Sequence, residues 1–373
     1  MALLETLFGA TLGAAVVVGS VSQPVPYAPR PLGYTPPVRM VQRWMPSDAR
    51  CGNAVVPVAQ ILRPGAALVW GQPKSVAQTY RFRIDATGRP MSIARVTTEW
   101  AMGVDDIAPS LAASRFDLTG AQAACEITYT PDLKTLADAP VEDLVSYSMT
   151  RQNGPLPREG WARIRPVDGD CVREPRTLWL NAVYPDYAKL PGTPGVRDWS
   201  MVGYDLDAKG RPRHVRHVMG TGNAALDQAA RAALSRSRLT NGPRHGCLNP
   251  YVRKPDRLPA PADVDPETVR PAGATCTRDG DWDRKPVLTY PENFNRRSIE
   301  GWALIGFDVA PWGATGNLRV LASEPAQEFG ERAMQIVGAA TKAKSATGAT
   351  GCVERVRFVI RDSAAAADSQ PAS

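Results

Sequence analysis

Six cysteines recur along the chain at nearly equal separations, and this spacing constrains the fold more than any other feature. They are Cys51, Cys125, Cys171, Cys247, Cys276 and Cys352. Taken as consecutive pairs, the two members lie 74, 76 and 76 residues apart. Six cysteines allow 15 disulfide pairings, and sequence alone does not normally select one. Here the repeated separation predicts three bonds, which are Cys51–Cys125, Cys171–Cys247 and Cys276–Cys352.

The residues between the paired cysteines repeat as well. An aromatic residue, an aliphatic residue and a glycine follow the first cysteine at offsets of 31, 33 and 37 in the first and third copies, and two residues later in the second. These residues are Phe82, Ile84 and Gly88 in the first copy, Tyr204, Leu206 and Gly210 in the second, and Phe307, Val309 and Gly313 in the third. A fixed period of this kind predicts three tandem copies of one module.

Each copy predicts an α+β fold of the ββαβ type, in which a short antiparallel sheet packs on one helix. Alternating apolar residues before the glycine indicate a half-buried strand, and the glycine indicates a turn. In the second copy a helix is predicted after the candidate N-cap Asn223. Its apolar residues follow the spacing i, i+3, i+4, i+7, i+8, and they are Leu226, Ala229, Ala230, Ala233 and Leu234.

Composition excludes several classes of function. The net charge of +7 comes from scattered arginines rather than a concentrated basic patch, which argues against a nucleic-acid partner. Only three histidines are present, and no cysteine pair has metal-binding C-x-x-C spacing, so no metal is expected. The G-x-G-x-x-A run at 220–225 is interpreted as a strand-to-helix turn, because no acidic residue follows about 20 positions on. We therefore expect no catalytic residues and no small-molecule cofactor.

The N-terminal segment indicates export. Residues Leu7 to Val21 are apolar and uncharged, a length that suits a signal-peptide core better than a membrane span of about 20 residues. Glu5 stands where a basic residue is usual. Disulfides persist in oxidising compartments, which agrees with export. The periplasm is the predicted location, and anchoring of the N-terminus in the inner membrane stays open as an alternative.

The predicted organisation follows from these boundaries. It consists of a signal peptide or signal anchor over 1–22, a Pro-rich linker over 23–48, module 1 over 49–131, a linker over 132–168, module 2 over 169–253, a Pro-rich linker over 254–274, module 3 over 275–361 and a disordered tail over 362–373.

The ordered set of motifs resembles the C-terminal domain of TonB, the energy transducer of Gram-negative envelopes. The resemblance rests on Tyr184–Pro185 with GYDLDAKGRP in the second copy and on Tyr290–Pro291 with IGFDVAPWG in the third. The first copy has RFRIDATGRP but no Tyr-Pro. The resemblance covers about two thirds of the chain. The resemblance implies a small sheet-and-helix module whose work is recognition rather than catalysis.

The resemblance also implies a mode of binding. In that family a short peptide of an outer-membrane receptor is added as a strand beside the last strand of the module. The equivalent strand here is about Val353 to Ile360, with the candidate contacts Val353, Arg355, Arg357 and Val359. The alternative is an ordinary edge strand protected by its charged residues.

The expected function is therefore non-enzymatic binding of a protein or peptide partner in the periplasm, with an outer-membrane receptor as one candidate. A membrane-anchored energy transducer is the first alternative. The short apolar segment and the brief Pro-rich spacer depart from that family, as do three modules in place of one. A periplasmic enzyme with a site between modules is the second alternative.

Overall fold

The chain combines short antiparallel sheets with helices in a mixed α+β architecture. The structure is a computed structural model, and it describes residues 38–71, 76–117, 120, 122–150, 154–276 and 282–360. The predicted signal segment over 1–22 and the tail over 362–373 lie outside the described residues. From Val38 onward the chain forms one compact unit.

In the residues that the structure describes, the first copy and the segment before it contain nine strands and one helix. These are β1 (Arg39–Pro46), β2 (Arg50–Cys51), β3 (Ala54–Val55), β4 (Val58–Gln60), β5 (Ala67–Trp70), β6 (Gln78–Ile84), β7 (Pro90–Arg95), α1 (Ile107–Ala113), β8 (Arg115–Phe116) and β9 (Gln122–Thr135). Between the first two copies lie α2 (Val141–Met149) and α3 (Arg158–Ile164).

The second and third copies follow the same order of elements. The second contains β10 (Trp179–Asn181), β11 (Asp198–Leu206), β12 (Pro212–Gly220), α4 (Ala224–Arg236), β13 (Arg238–Leu239) and β14 (Arg244–Arg253). The third contains β15 (Trp282–Arg284), α5 (Glu292–Arg296), β16 (Gly301–Val309), β17 (Thr315–Glu324), α6 (Gln327–Gly338), β18 (Thr341–Lys342) and β19 (Ala349–Phe358). Two short 3-10 helices cover Tyr187–Lys189 and Pro266–Val269.

Three sheets share one antiparallel strand order. In each, the first long strand of the copy lies in the centre, between the strand that follows it in a hairpin and the last strand of the copy. The orders are β7-β6-β9, β12-β11-β14 and β17-β16-β19. A two-stranded ladder flanks each sheet, formed by β4 with β8, β10 with β13, and β15 with β18. Disulfides join the three cysteine pairs that the spacing predicts. These bonds are typical of an extracytoplasmic protein.

The repeated glycine has one structural cause in all three copies. Gly88, Gly210 and Gly313 adopt φ angles of +77°, +70° and +92° in the hairpin turn. A Cβ atom at these positions would lie 2.1, 1.8 and 2.1 Å from a backbone oxygen of the short strand after the helix. Glycine is therefore required both for the turn and for the close approach of the flanking ladder.

Residues 132–168, predicted to be a linker, contain the end of β9 and two helices. In α2, Val141, Leu144, Val145 and Ser148 share one face at helical spacing. Leu144, Val145 and Tyr147 are buried, and they belong to a core that also includes Trp199 of β11. This segment is a folded unit because it covers the face of the second sheet that α4 leaves open.

The predicted linker over 23–48 likewise ends in a strand, β1. Trp44 is only 1 % exposed, and its Nε1 donates to the carbonyl oxygen of Gly103 at 2.7 Å. The largest core spans the first and third copies, where Ile107 and Phe82 share a cluster with Phe329. Helix α4 of the second copy packs on its own sheet in a separate core.

Candidate functional site

The last strand of the first copy has a neighbour on its outer edge. Strand β1 pairs antiparallel with β9 from Met40↔Thr135 to Pro46↔Tyr129, and β2 pairs with it at Glu126 and Cys125. Between these two strands, the amide of Ser47 donates to the carbonyl oxygen of Thr128 at 2.8 Å. The amide of Thr128 donates to Ser47 Oγ at 3.2 Å. The edge of the first copy is thus already filled by the chain itself.

In the second and third copies, no strand pairs with the corresponding edge among the described residues, although the 3-10 helix Pro266–Val269 lies beside β19. In the part of the chain that the structure describes, β14 pairs only with β11, and β19 pairs only with β16. At the start of each strand, the residue that precedes the first cysteine of the copy forms a backbone hydrogen bond with it. The amide of Asp170 donates to the carbonyl of His245 at 3.0 Å, and the amide of Thr275 donates to that of Thr350 at 3.0 Å. Beyond these contacts, both edges lack a strand partner among the described residues.

The first copy indicates which backbone groups face the open edges. Thr128, three residues after the second cysteine, directs its N–H and C=O outward. The equivalent residues are Pro250 in β14 and Arg355 in β19. Backbone groups alternate in direction along an antiparallel strand, so Val353 and Arg357 also face outward. The edge of β19 therefore offers a full set of donors and acceptors, whereas Pro250 removes the central donor of β14.

Of the four predicted contact residues, two arginines already have a partner. A single carboxylate oxygen, Asp263 Oδ2, lies 2.7 Å from Arg357 Nε and 3.2 Å from Arg355 Nη1. The hydrogen bond from Arg357 lowers the pKa of Asp263 below its ordinary value. Val353 is half-buried and Val359 is half-exposed. The outer edge of β19 is thus basic, and its charge is partly neutralised from within the chain.

Asp263 belongs to the segment 254–274, predicted as a Pro-rich linker, which runs along the third copy. The backbone of Leu258 exchanges hydrogen bonds with Ser298 and Glu300 at 2.9 and 3.0 Å. Farther along, the indole Nε1 of Trp302 donates to the carbonyl of Pro261 at 3.1 Å. These contacts hold the segment beside the sheet, and we call residues 258–270 the strap.

The two Tyr-Pro pairs differ in their surroundings. Tyr290 donates its hydroxyl to the carbonyl of Ile299 at 2.7 Å, and its ring meets Phe329 and Phe358 edge-on. Burial raises the pKa of Tyr290 above its ordinary value. Pro185 and Pro291 are both buried, but Tyr184 is 66 % exposed. Tyr290–Pro291 therefore supports the sheet that carries β19, while Tyr184 does not occupy the equivalent position.

Features typical of metal sites and of membrane spans are absent from the described residues. Within them, no group of three or more His, Cys, Asp or Glu side chains is arranged to hold a metal ion. No helix in the described ranges has the length and apolar character needed to cross a bilayer. Two histidines, His214 and His245, each approach a different oxygen of Asp205 at 2.9 Å on the surface of the second copy.

Sequence reasoning missed two features of this site. Strand β1 escaped notice because a single strand has no internal repeat, and its partner lies about ninety residues later. Asp263 escaped notice because an acidic residue between prolines is typical of a solvated linker. The sequence did contain one signal. Arg355 and Arg357, two residues apart on one strand, carry positive charges that are opposite in sign to the charge of Asp263. No protein-family model matches the chain, and no characterised relative is found by sequence.

Proposed function

We propose that the protein is a non-enzymatic binding protein of the periplasm that takes up an extended segment of a partner protein along the outer edge of β19. The observation that carries this proposal is the first copy, in which the corresponding edge of β9 is already occupied, by β2 at Cys125 and Glu126, by Ser47 at Thr128 and by β1 from Tyr129 onward. A module of this topology thus accommodates an added strand without rearrangement of its sheet.

The chemistry of the edge defines the ligand. Backbone hydrogen bonds supply affinity in strand addition, and alternate side chains supply selectivity. The outward positions Val353, Arg355 and Arg357 combine one apolar and two basic side chains. An extended peptide with an acidic residue opposite the arginines fits this pattern. Its carboxylate would replace that of Asp263, which is only partly buried.

The resemblance to TonB C-terminal modules supports the same mode of binding and suggests an outer-membrane receptor as the partner. The three disulfides support an oxidising compartment. A membrane-anchored energy transducer is the second candidate function, and it requires that the apolar segment Leu7 to Val21 stay uncleaved in the membrane. N-terminal sequencing of the mature protein separates the two, since a start near Gln23 removes the anchor.

The test of strand addition uses the precedent of the second copy. Arg355→Pro removes the central outward N–H of β19, and the equivalent Pro250 is tolerated in β14. Arg355→Ala is the matched control, because it removes the same side chain but keeps the N–H. Binding of fluorescent receptor-derived peptides, with and without an acidic residue, is measured by anisotropy.

We expect Arg355→Pro to weaken peptide binding about tenfold or more, since the loss of one or two backbone hydrogen bonds amounts to about 1–3 kcal/mol. Arg355→Ala should weaken mainly the acidic peptide. Asp263→Asn should tighten binding of the acidic peptide, because the strap then no longer offers a carboxylate to Arg355 and Arg357. Equal binding by wild type and Arg355→Pro would contradict the proposal.

A further inference from the structure

A second site, to which no residue of β19 contributes, lies where the three copies meet. A cavity of about 270 Å³ opens between the loop 61–66, helix α2, the start of β11 and the end of α5. The volume corresponds to about nine water molecules at ~30 Å³ each, which suits a small molecule rather than a peptide. Sites of this kind are common at junctions between domains.

Guanidinium groups dominate the lining of this cavity. Four arginines and two aspartates contribute to it, which leaves an excess of positive charge. They are Arg63, Arg197, Arg296, Arg297, Asp106 and Asp143. Such an excess in a cleft attracts anions, because the low-dielectric walls reduce screening.

Two of the arginines are neutralised by partners of their own. Arg297 forms a two-pronged ion pair with Asp106, with its Nε 2.6 Å from Oδ1. Arg296 pairs with Glu292 one helical turn earlier. Asp143 forms an ion pair with Arg43, whose Nη1 lies 3.1 Å from Oδ2 of Asp143. Asp106 and Asp143, the two carboxylates that line the cavity, therefore each already pair with an arginine.

Arg197 and Arg63 form no close ion pair in the described part of the chain, although the charge of Asp106 acts on Arg197 and that of Asp143 on Arg63 at longer range. The only side-chain hydrogen bond of Arg197 in that part runs from Nη2 to the carbonyl oxygen of Arg296 at 3.2 Å. Burial lowers the pKa of Arg197, and the neighbouring charges of Arg297 and Arg296 lower it further. The fold thus holds a partly buried guanidinium beside two others of like charge, an arrangement that a bound anion would stabilise.

The remaining lining complements an anionic group. Ser146 of α2 and Thr150, the residue that follows this helix, contribute hydroxyls, and Trp199 forms an apolar wall. Arginine presents its donors as a planar fork, which matches two oxygens of a carboxylate or phosphate at once. We propose that this cavity is a binding site for the oxyanion group, a phosphate or a carboxylate, of a small molecule, with Arg197 and Arg63 as its main ligands.

The test measures binding of inorganic phosphate and of succinate by calorimetry, at constant ionic strength set with sodium chloride. The variants are Arg197→Gln and Arg63→Gln. Arg231→Gln is the matched control, because Arg231 lies on the exposed face of α4 and bonds only the carbonyl of Asp227 in its own helix among the described residues. Circular dichroism establishes that each variant is folded.

We expect one saturable site for at least one of the two anions, and the preferred anion identifies the source of the oxyanion group. Binding should weaken about tenfold or more in each cavity variant and stay unchanged in Arg231→Gln. If Arg197→Gln fails to fold, the exposed Arg63→Gln decides alone. Heat that does not saturate with either anion, or equal binding by wild type and the folded cavity variants, would overturn the proposal. Because no residue of β19 lines the cavity, this experiment does not depend on whether β19 binds a peptide.

Discussion

At the scale of single residues, Glu328 is the carboxyl whose protonation the fold perturbs most clearly. It lies in the first turn of α6, in a cavity between the first and third copies. Its Oε2 atom is buried without a hydrogen-bond partner in the described structure. Burial raises the pKa of Glu328 to about 7, and the negative charge of Glu331 contributes in the same direction.

This pKa has a defined effect on stability. The folded state holds the proton of Glu328 up to about pH 7, whereas the unfolded chain releases it near pH 4.3. Stability contributed by this group is therefore present at low pH and lost as the pH rises between these values. We expect Glu328→Gln to raise the free energy of unfolding by about 1–3 kcal/mol at pH 8 and to leave it nearly unchanged at pH 4.

Denaturant unfolding at the two pH values checks this expectation. Glu159→Gln is the control, because Glu159 is exposed in the first turn of another helix, α3. A gain in Glu328→Gln of the same size at both pH values would point to packing instead of ionisation.

At the scale of elements, local patterns and long-range pairing differ in how far the sequence predicts them. Helix α4 and its N-cap were predicted from residues within one turn of each other, and Asn223 Oδ1 accepts from the amide of Leu226 at 3.1 Å as expected. The hairpin glycines were found because they repeat. The pairing of β1 with β9 depends on partners far apart in sequence, and periodicity contains no information about such partners.

The same limit applies to the candidate site. The sequence predicts the outward residues of β19 through a resemblance to a known module. The strap and the cavity around Arg197 depend on side chains brought together from distant segments. Helix α2 is a different case, because its helical pattern is present in the sequence but lies between two recognised copies, where a linker is predicted.

Strand β1 offers a test at this scale. Trp44→Ala removes a large side chain that is almost fully buried, together with its hydrogen bond to Gly103. We expect the free energy of unfolding to fall by about 3–5 kcal/mol. Trp312→Ala is the control, since Trp312 is 69 % exposed and should change stability by less than about 0.5 kcal/mol. Similar small losses in both variants would show that β1 is dispensable for the fold.

At the scale of the whole molecule, the first and third copies are joined by more than apolar packing. The Glu324 carboxylate at the end of β17 accepts hydrogen bonds from Arg83 and Ser92 of the first copy at 2.7 and 2.6 Å. The pair between Asp106 and Arg297 forms a second joint. Burial alone would lower the pKa of Arg297, but Asp106 holds it above its ordinary value.

Breaking this pair tests the joint. Arg297→Ala leaves the Asp106 carboxylate buried without its partner, and we expect a loss of about 3–5 kcal/mol in the free energy of unfolding. The double variant with Asp106→Ala should lose less than the two single variants combined. Arg296→Ala removes a partly exposed pair and should cost at most about 1 kcal/mol. An equal loss in Arg297→Ala and Arg296→Ala would assign the joint to apolar contacts alone.

The filled edge of the first copy has a consequence for valency. Strand β1 occupies one of three equivalent edges, and Pro250 interrupts the hydrogen-bonding pattern of the second. Under the proposed strand addition, β19 has the one fully equipped edge among the last strands of the three copies, and we expect one bound peptide per chain. Removal of residues 39–46 would uncover β9 only from Tyr129 to Thr135 and would take the buried side chain of Trp44 out of the core.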